Sequence, residues 1–397
     1  MGQCTSKTVE VDRKGRDSAT PELEKVDGSE LSSVDDAWSL SSDNSNRSIT
    51  SNNIIYLDNN ATTPIDPRVY DAMKPFLTRE FGNPSAKGYR HGWDARRAVD
   101  AARRQVAELI NCAPSEVVFT SGATESDAMA LLGTFEALDK SRGAHLITSL
   151  MEHSAVLEAA KKLETTYDDV DVTYLSVRAE DEGVTTASSV EAALRDDTKM
   201  VSVMMVNNEI GVINEIEAIG KLCTERGILF HVDACQGLGK VPLDVKRFGI
   251  DMLSVSAHKI YGPKGCGAFF IAERDKQFFS PLLRGGGQEF GLRGGTHNVP
   301  GIVGFGEACR IAKHELENTD ECFRLRKLRD TLYHTLKDGV KEIVVNGSLD
   351  PSRRVPSNLN VSFPGVEGEA LLNKVNTKIA LSSGSACTGA TGSNHMS

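Results

Sequence analysis

The sequence predicts an α/β fold with a mostly parallel central sheet flanked by helices. Two observations carry this. From Ile54 onward, short β-branched runs alternate with helix-like stretches, which is the signature of βαβ units. The chain also has the means to bury a core: 397 residues, 40% hydrophobic and 25% charged, enough for one or two domains. No uninterrupted apolar run approaches the ~20 residues that cross a bilayer.

The elements follow in order. "EVVFT" (116–120) precedes "ESDAMALLGTFEAL" (125–138), and "HLITS" (145–149) precedes "AVLEAAKKLE" (155–164). "KMVSVMMV" (199–206) reads as one strand, followed by the helix "IEAIGKLCTERG" (216–227). "ILFHVDA" (228–234) and "DMLSVSA" (251–257) close the series as strands. Residues 1–53 differ. They are rich in Ser, Asp and Asn and poor in apolar residues, so they cannot offset their chain entropy and are expected to be disordered.

The net charge of −10 argues against nucleic acid as a partner, since phosphate binding needs a basic face. The eight cysteines form no CxxC pair and are scattered through apolar segments, which reads as reduced, intracellular thiols. The start, "MGQCTS", fits the myristoylation pattern at Gly2, with Cys4 a palmitoylation candidate beside it. A plain disordered start is the competing reading. The acids of the first fifty residues, Glu10 and Asp12 through Asp43, argue against a mitochondrial transit peptide.

In a parallel sheet, ligands bind beyond the carboxyl ends of the strands. "SGATES" (121–126) opens a helix there and reads as an anion cradle or as a Ser/Thr helix cap. His153 stands at the next strand-to-helix junction. "NNEIG" (207–211) places two asparagines after a strand, as a turn or as a site. Asp233 ends a buried-looking strand, where its charge needs a positive partner. A His231–Cys235 metal pair competes with that reading. Lys259 ends another strand, where burial would lower its pKa and suit it to Schiff-base chemistry; a surface lysine is the alternative. "RGGGQEFGLRGGTHN" (284–298) is a glycine-dense loop that admits a close neighbour. A Schiff-base lysine, an acid for a pyridinium and a phosphate cradle are together the three handles of pyridoxal 5'-phosphate, PLP.

From "IYLDNNATTP" (55–64) to "SSGSACT" (382–388) the chain resembles the cysteine desulfurases, fold-type I PLP enzymes of the class V aminotransferase group. The resemblance runs through "FGNPS", "VFTSGATES", "EHSAVL", "VNNEIG", "HVDACQ", "SAHKIYGPKG" and "RGGT". It implies a large PLP-binding domain over 66–315 and a smaller α+β domain from 54–65 and 316–397, incomplete here. It also implies roles. Lys259 would join PLP, Asp233 would pair with the ring nitrogen, Gln236 would bond the phenolic oxygen, and His153 would stack on the ring and carry protons. Thr124, Ser256 and His258 would hold the phosphate with the amides around Ala123. Thr296 would reach the neighbouring subunit's phosphate in a homodimer. Asn208 and Asn60 would lie near the substrate, and Cys387 would accept sulfur as a persulfide.

The implied reaction converts L-cysteine to L-alanine and passes sulfur to an acceptor or iron–sulfur scaffold protein, in the cytoplasm or at a membrane through Gly2 and Cys4. Selenocysteine lyase is a second enzyme reading of the same fold. A membrane-tethered scaffold without activity is a third. No residue up to Ser397 maps onto the family's arginine for the substrate carboxylate, and "GSNHMS" departs from the family's continuation. Low activity and low solubility are therefore expected of this chain.

Overall fold

A computed structural model describes residues 54–384, apart from 142 and 178–180. They belong to one unit, Asn52–Ser397. In chain order the elements begin with β1 (Ile55–Tyr56), α1 (Pro67–Thr78), α2 (Arg90–Ile110), β2 (Val117–Thr120), α3 (Ala123–Ala128) and α4 (Thr134–Ala137). Next come β3 (Ala144–Ser149), α5 (Ser154–Thr166), β4 (Val170–Leu175), α6 (Ala187–Ala193), β5 (Thr198–Ser202) and α7 (Ile216–Arg226). Then follow β6 (Leu229–Asp233), β7 (Met252–Ser256), β8 (Gly267–Ile271), α8 (Val299–Asn318) and α9 (Glu321–Gly339). The last are β9 (Val344–Val345), β10 (Val361–Ser362), α10 (Gly368–Val375) and β11 (Ile379–Ala380).

Seven strands make the central sheet in the order β2-β8-β7-β6-β5-β3-β4. The neighbours β4-β3-β5-β6-β7 are all parallel, whereas β8 runs antiparallel to both β7 and β2. Every residue of β2, β3, β7 and β8 is buried, because helices cover both faces. Successive side chains go to opposite faces: Val117 and Phe119 pack with α2 and α8, while Val118 packs with Met129, Phe135 and Val156 on the other side. Each large side chain buried this way contributes about 1.5–3 kcal/mol.

Three departures from the sequence reading have local causes. β5 stops at Ser202 rather than Val206, because the Met204 amide is drawn out of the ladder to Glu152 Oε1 at 2.7 Å. The helix after β2 begins at Ala123 and widens to a π turn over Met129–Gly133, where a Cβ on Gly133 would lie 2.6 Å from the Phe279 ring. β8, "GAFFI", is a further buried strand; its apolar run has no alternation to mark it.

Outside the sheet, β9 and β10 pair antiparallel and β1 pairs parallel with β11. The segment after β1 is fastened to the turn after β7. Thr63 N and Thr63 Oγ1 donate to His258 O at 3.0 and 2.9 Å, and Tyr261 N donates to Thr63 Oγ1 at 2.9 Å. Among the described residues no helix is long and apolar enough to cross a membrane.

Candidate active site

Antiparallel β8 leaves the carboxyl ends of β2, β3, β5, β6 and β7 on one edge of the sheet. That edge gathers most of the residues singled out in the sequence. After β7, Lys259 lines a cleft of about 1890 Å3 together with Asn60, Asn208 and Lys240. Its Nζ donates to Ala61 O at 2.8 Å and, at close range, to Asn60 O. Asn60 O also accepts from Gln236 Nε2 at 2.9 Å, and Asn60 Nδ2 donates to Asn208 O at 3.1 Å. The residue expected near the substrate is thus a backbone hub for the lysine.

Asp233 ends β6 and is 4% exposed; its Oδ1 accepts from Cys235 N at 2.9 Å. Two more acids lie beneath it. Burial and then Asp233's charge push Asp127 well above the usual carboxylate range. Ser254 opposes that shift, but its hydroxyl is engaged with His231 at 3.0 Å, and neither Asp127 oxygen has a well-formed hydrogen bond. Burial likewise raises Glu152, with Asp233's charge adding to it against the bond from Met204 N. Burial thus favours the neutral form of both acids.

His231 is fully buried, and burial lowers its pKa to about 3. Its two nitrogens are bonded to Ser202 Oγ and Ser254 Oγ at 2.9 and 3.0 Å. This removes the His231–Cys235 metal reading, since no ring nitrogen is left for a ligand bond.

At the end of β2 the chain turns through Gly122 with φ +152° and ψ −179°, a conformation open essentially to glycine alone. A Cβ there would enter the space in front of Ser256, with Ser256 Oγ 3.8 Å away as its nearest atom. Gly267 permits that approach: a Cβ on it would lie 2.7 Å from Gly122 Cα. Ala123 and Thr124 open α3 beside this hollow. His258 Nδ1 meets Thr62 Oγ1 at 3.0 Å, and burial, then the charges of Lys259, Lys264 and Lys240, lower its pKa to about 4. His258 is therefore neutral at pH 7. His153 is the N-cap of α5, its Nδ1 accepting from Ala155 N at 3.1 Å. In a neutral ring that cap puts the proton on Nε2.

Thr296 sits apart, in a separate cavity of about 140 Å3 with Ser121, Arg293 and His297. Cys387, Gly2 and Cys4 lie outside the described residues. The described chain reaches Gly384, and two residues earlier Ser382 Oγ donates to Asp58 Oδ1 at 2.9 Å. Sequence reasoning overlooked Ala61, Thr62, Thr63, Lys240, Asp127 and Glu152. The polar run "NNATTP" and the four-residue spacing of Gln236 and Lys240 were the available signals.

Residues 55–396 match the aminotransferase class-V family. The chain is 49% identical over 338 residues to a cysteine desulfurase IscS from Serratia proteamaculans, spanning 85% of this chain and 81% of that protein. It is 50% identical over 336 residues to the IscS of Neisseria meningitidis, spanning 85% and 80%. Among solved structures, a NifS-like protein superposes with a TM-score of 0.76 at 37% identity, over 81% of this chain and 85% of that one. The apo cysteine desulfurase of Thermococcus onnurineus gives a TM-score of 0.74 at 26% identity, over 83% and 84%. With the sheet order, the lysine turn and the glycine hollow all in place, the chain belongs to the class-V aminotransferase family and, within it, to the cysteine desulfurases.

Proposed function

We propose that this desulfurase holds PLP at the strand-end edge, takes L-cysteine as substrate, and collects its sulfur on Cys387 for an acceptor that serves iron–sulfur cluster assembly. The observation that carries the reading is the Lys259 turn, with its amine on two backbone carbonyls at the same edge as Asp233 and the Gly122–Ser256 hollow. These residues fit PLP: a primary amine, a buried carboxylate and a cradle that a Cβ would fill. When bound, PLP supplies an electron sink that acidifies the substrate Cα proton.

The chain's own residues do the rest. Ser256, Thr124, neutral His258 and the amides around Ala123 would hold the phosphate. Because His258 is uncharged, it contributes a hydrogen bond and not a charge. Asp233 would face the ring nitrogen, with Asp127 and Glu152, whose neutral forms burial favours, behind it. Gln236 would donate to the ring oxygen. Lys259 Nζ, kept close by the Asn60 and Ala61 carbonyls, would remove the Cα proton. His153, with its proton on Nε2, would pack on the ring and return a proton. Asn208 and Asn60 would border the substrate. Cys387 thiolate would attack the substrate sulfur; the C–S bond breaks, alanine leaves, and the sulfur stays on Cys387 as a persulfide. In a homodimer, Thr296 would serve the second subunit's phosphate.

The test is a visible spectrum of the chain with PLP, followed by L-cysteine and assays for alanine and sulfide. Lys259→Ala should remove the PLP band and lower alanine formation by at least about 10²–10⁴-fold. Cys387→Ser should abolish persulfide. A band that survives Lys259→Ala would overturn the reading.

A further inference from the structure

The turn after β6 carries two side chains whose connection the reaction above does not use. Residues 235–240 form consecutive turns, with Leu238 N bonded to Ala234 O at 2.8 Å, Lys240 N to Gly237 O at 3.0 Å, and Gly239 at φ +66°. These turns bring Gln236 and Lys240, four residues apart, within hydrogen-bond reach of each other. Lys240 Nζ donates to Gln236 Oε1 at 2.7 Å, and Gln236 Nε2 donates to Asn60 O at 2.9 Å. Asn60 O is the carbonyl that also receives Lys259 Nζ. Gln236 is 4% exposed, so the orientation of its amide is not left to solvent.

An ammonium has only donors, and a backbone carbonyl only acceptors. The Gln236 amide lies between one of each. Its oxygen must face Lys240 and its NH2 must face Asn60. The flipped amide would set NH2 against NH3+ and oxygen against oxygen.

We propose that Lys240 is a positioning residue: by donating to Gln236 Oε1 it fixes the carboxamide with its NH2 turned toward Asn60 and the cofactor hollow, as a donor to the cofactor's ring oxygen. This rests on the PLP reading above. The link is unbroken from Lys240 through Gln236 and the Asn60 carbonyl to Lys259. Burial first, then Lys259's charge, lowers the Lys240 pKa to about 7, so the amine is an ammonium below that pH and the experiment is run there. Removing Lys240 leaves a buried amide oxygen without its charged donor and frees the amide to turn its acceptor toward an acceptor.

The experiment uses the whole chain with PLP and reads the absorption maximum of the bound cofactor and its dissociation constant. Lys240→Met keeps the apolar stem and loses the donor. It should displace the absorption maximum and weaken PLP binding by roughly tenfold, the size of one charge-assisted hydrogen bond. Lys240→Arg should stay within about threefold of the unaltered chain. Lys240→Gln, a donor without charge, should fall between them. In a Gln236→Leu background, Lys240→Met should change neither quantity further, because its route to the cofactor is gone. An unchanged maximum and affinity in Lys240→Met would overturn the proposal, as would an equal loss in the Gln236→Leu background. Absence of any PLP band from the unaltered chain would overturn the cofactor reading itself, and this proposal with it.

Discussion

Glu289 and the pair Asp127 and Glu152 are all buried acids, but their surroundings differ. Glu289, 5% exposed, is met by Arg103 at 2.6 and 2.7 Å, by His297 Nε2 at 2.6 Å and by the Phe119 amide at 2.7 Å. Burial pushes its carboxyl up, but the Arg103 and His297 bonds, the Arg103 charge and the amide outweigh it and hold it at about 2. Among the described residues no cation is bonded to Asp127 or Glu152 under the β6 edge; Glu152 has only the Met204 amide, and burial favours the neutral form of both. A matched acid anchors a loop to the sheet. Acids whose neutral form burial favours ask for no counter-charge, which leaves Asp233 as the acid that the proposed ring nitrogen would pair with. The difference between scaffold and site is the presence of the counter-charge.

The largest test of this contrast is on the matched side. Glu289→Ala strands Arg103, 7% exposed, without its partner, and should cost about 3–5 kcal/mol, read as a drop in thermal midpoint or as lost soluble protein. A drop under about 1 kcal/mol would make the cluster ornamental. Next comes acid. Glu289 has a lowered folded pKa, so its contribution is complete above the usual 4.5 and is lost as pH falls toward about 2. Its share is about 3 kcal/mol, from 1.36 kcal/mol per unit. Glu289→Gln should flatten the stability profile over that window, measured by denaturant unfolding at each pH. The smallest effect belongs to the other side. Asp127→Asn mimics the neutral form that burial favours and should change stability at pH 7 by less than about 1 kcal/mol. A large loss there would mean that Asp127 is charged in the folded protein.

The sequence made the alternating elements legible because β-branched runs and helical stretches differ in period. Strand ends then pointed to His153, Asp233 and Lys259, and the fold brings these to one edge. What stayed hidden were contacts made by backbone. Nothing in "DNNATTP" says that the carbonyls of Asn60 and Ala61 receive a lysine nearly two hundred residues away, since every residue carries a carbonyl. Lys240 was hidden for a related reason: its role depends on which way an amide faces. β8 was missed because full burial erases alternation.

The pairing of β1 with β11 has a consequence for synthesis. Ile55 aligns with Ile379, and Asp58 is bonded to Ser382, 324 residues later. At roughly 5–20 residues per second, the ribosome needs about 16–65 s to make the second half of that contact. Until then the segment bearing the Asn60 and Ala61 carbonyls has its lysine turn to rest on but no strand beside it. The sheet edge can be complete well before this clasp closes beside the segment that receives Lys259 Nζ.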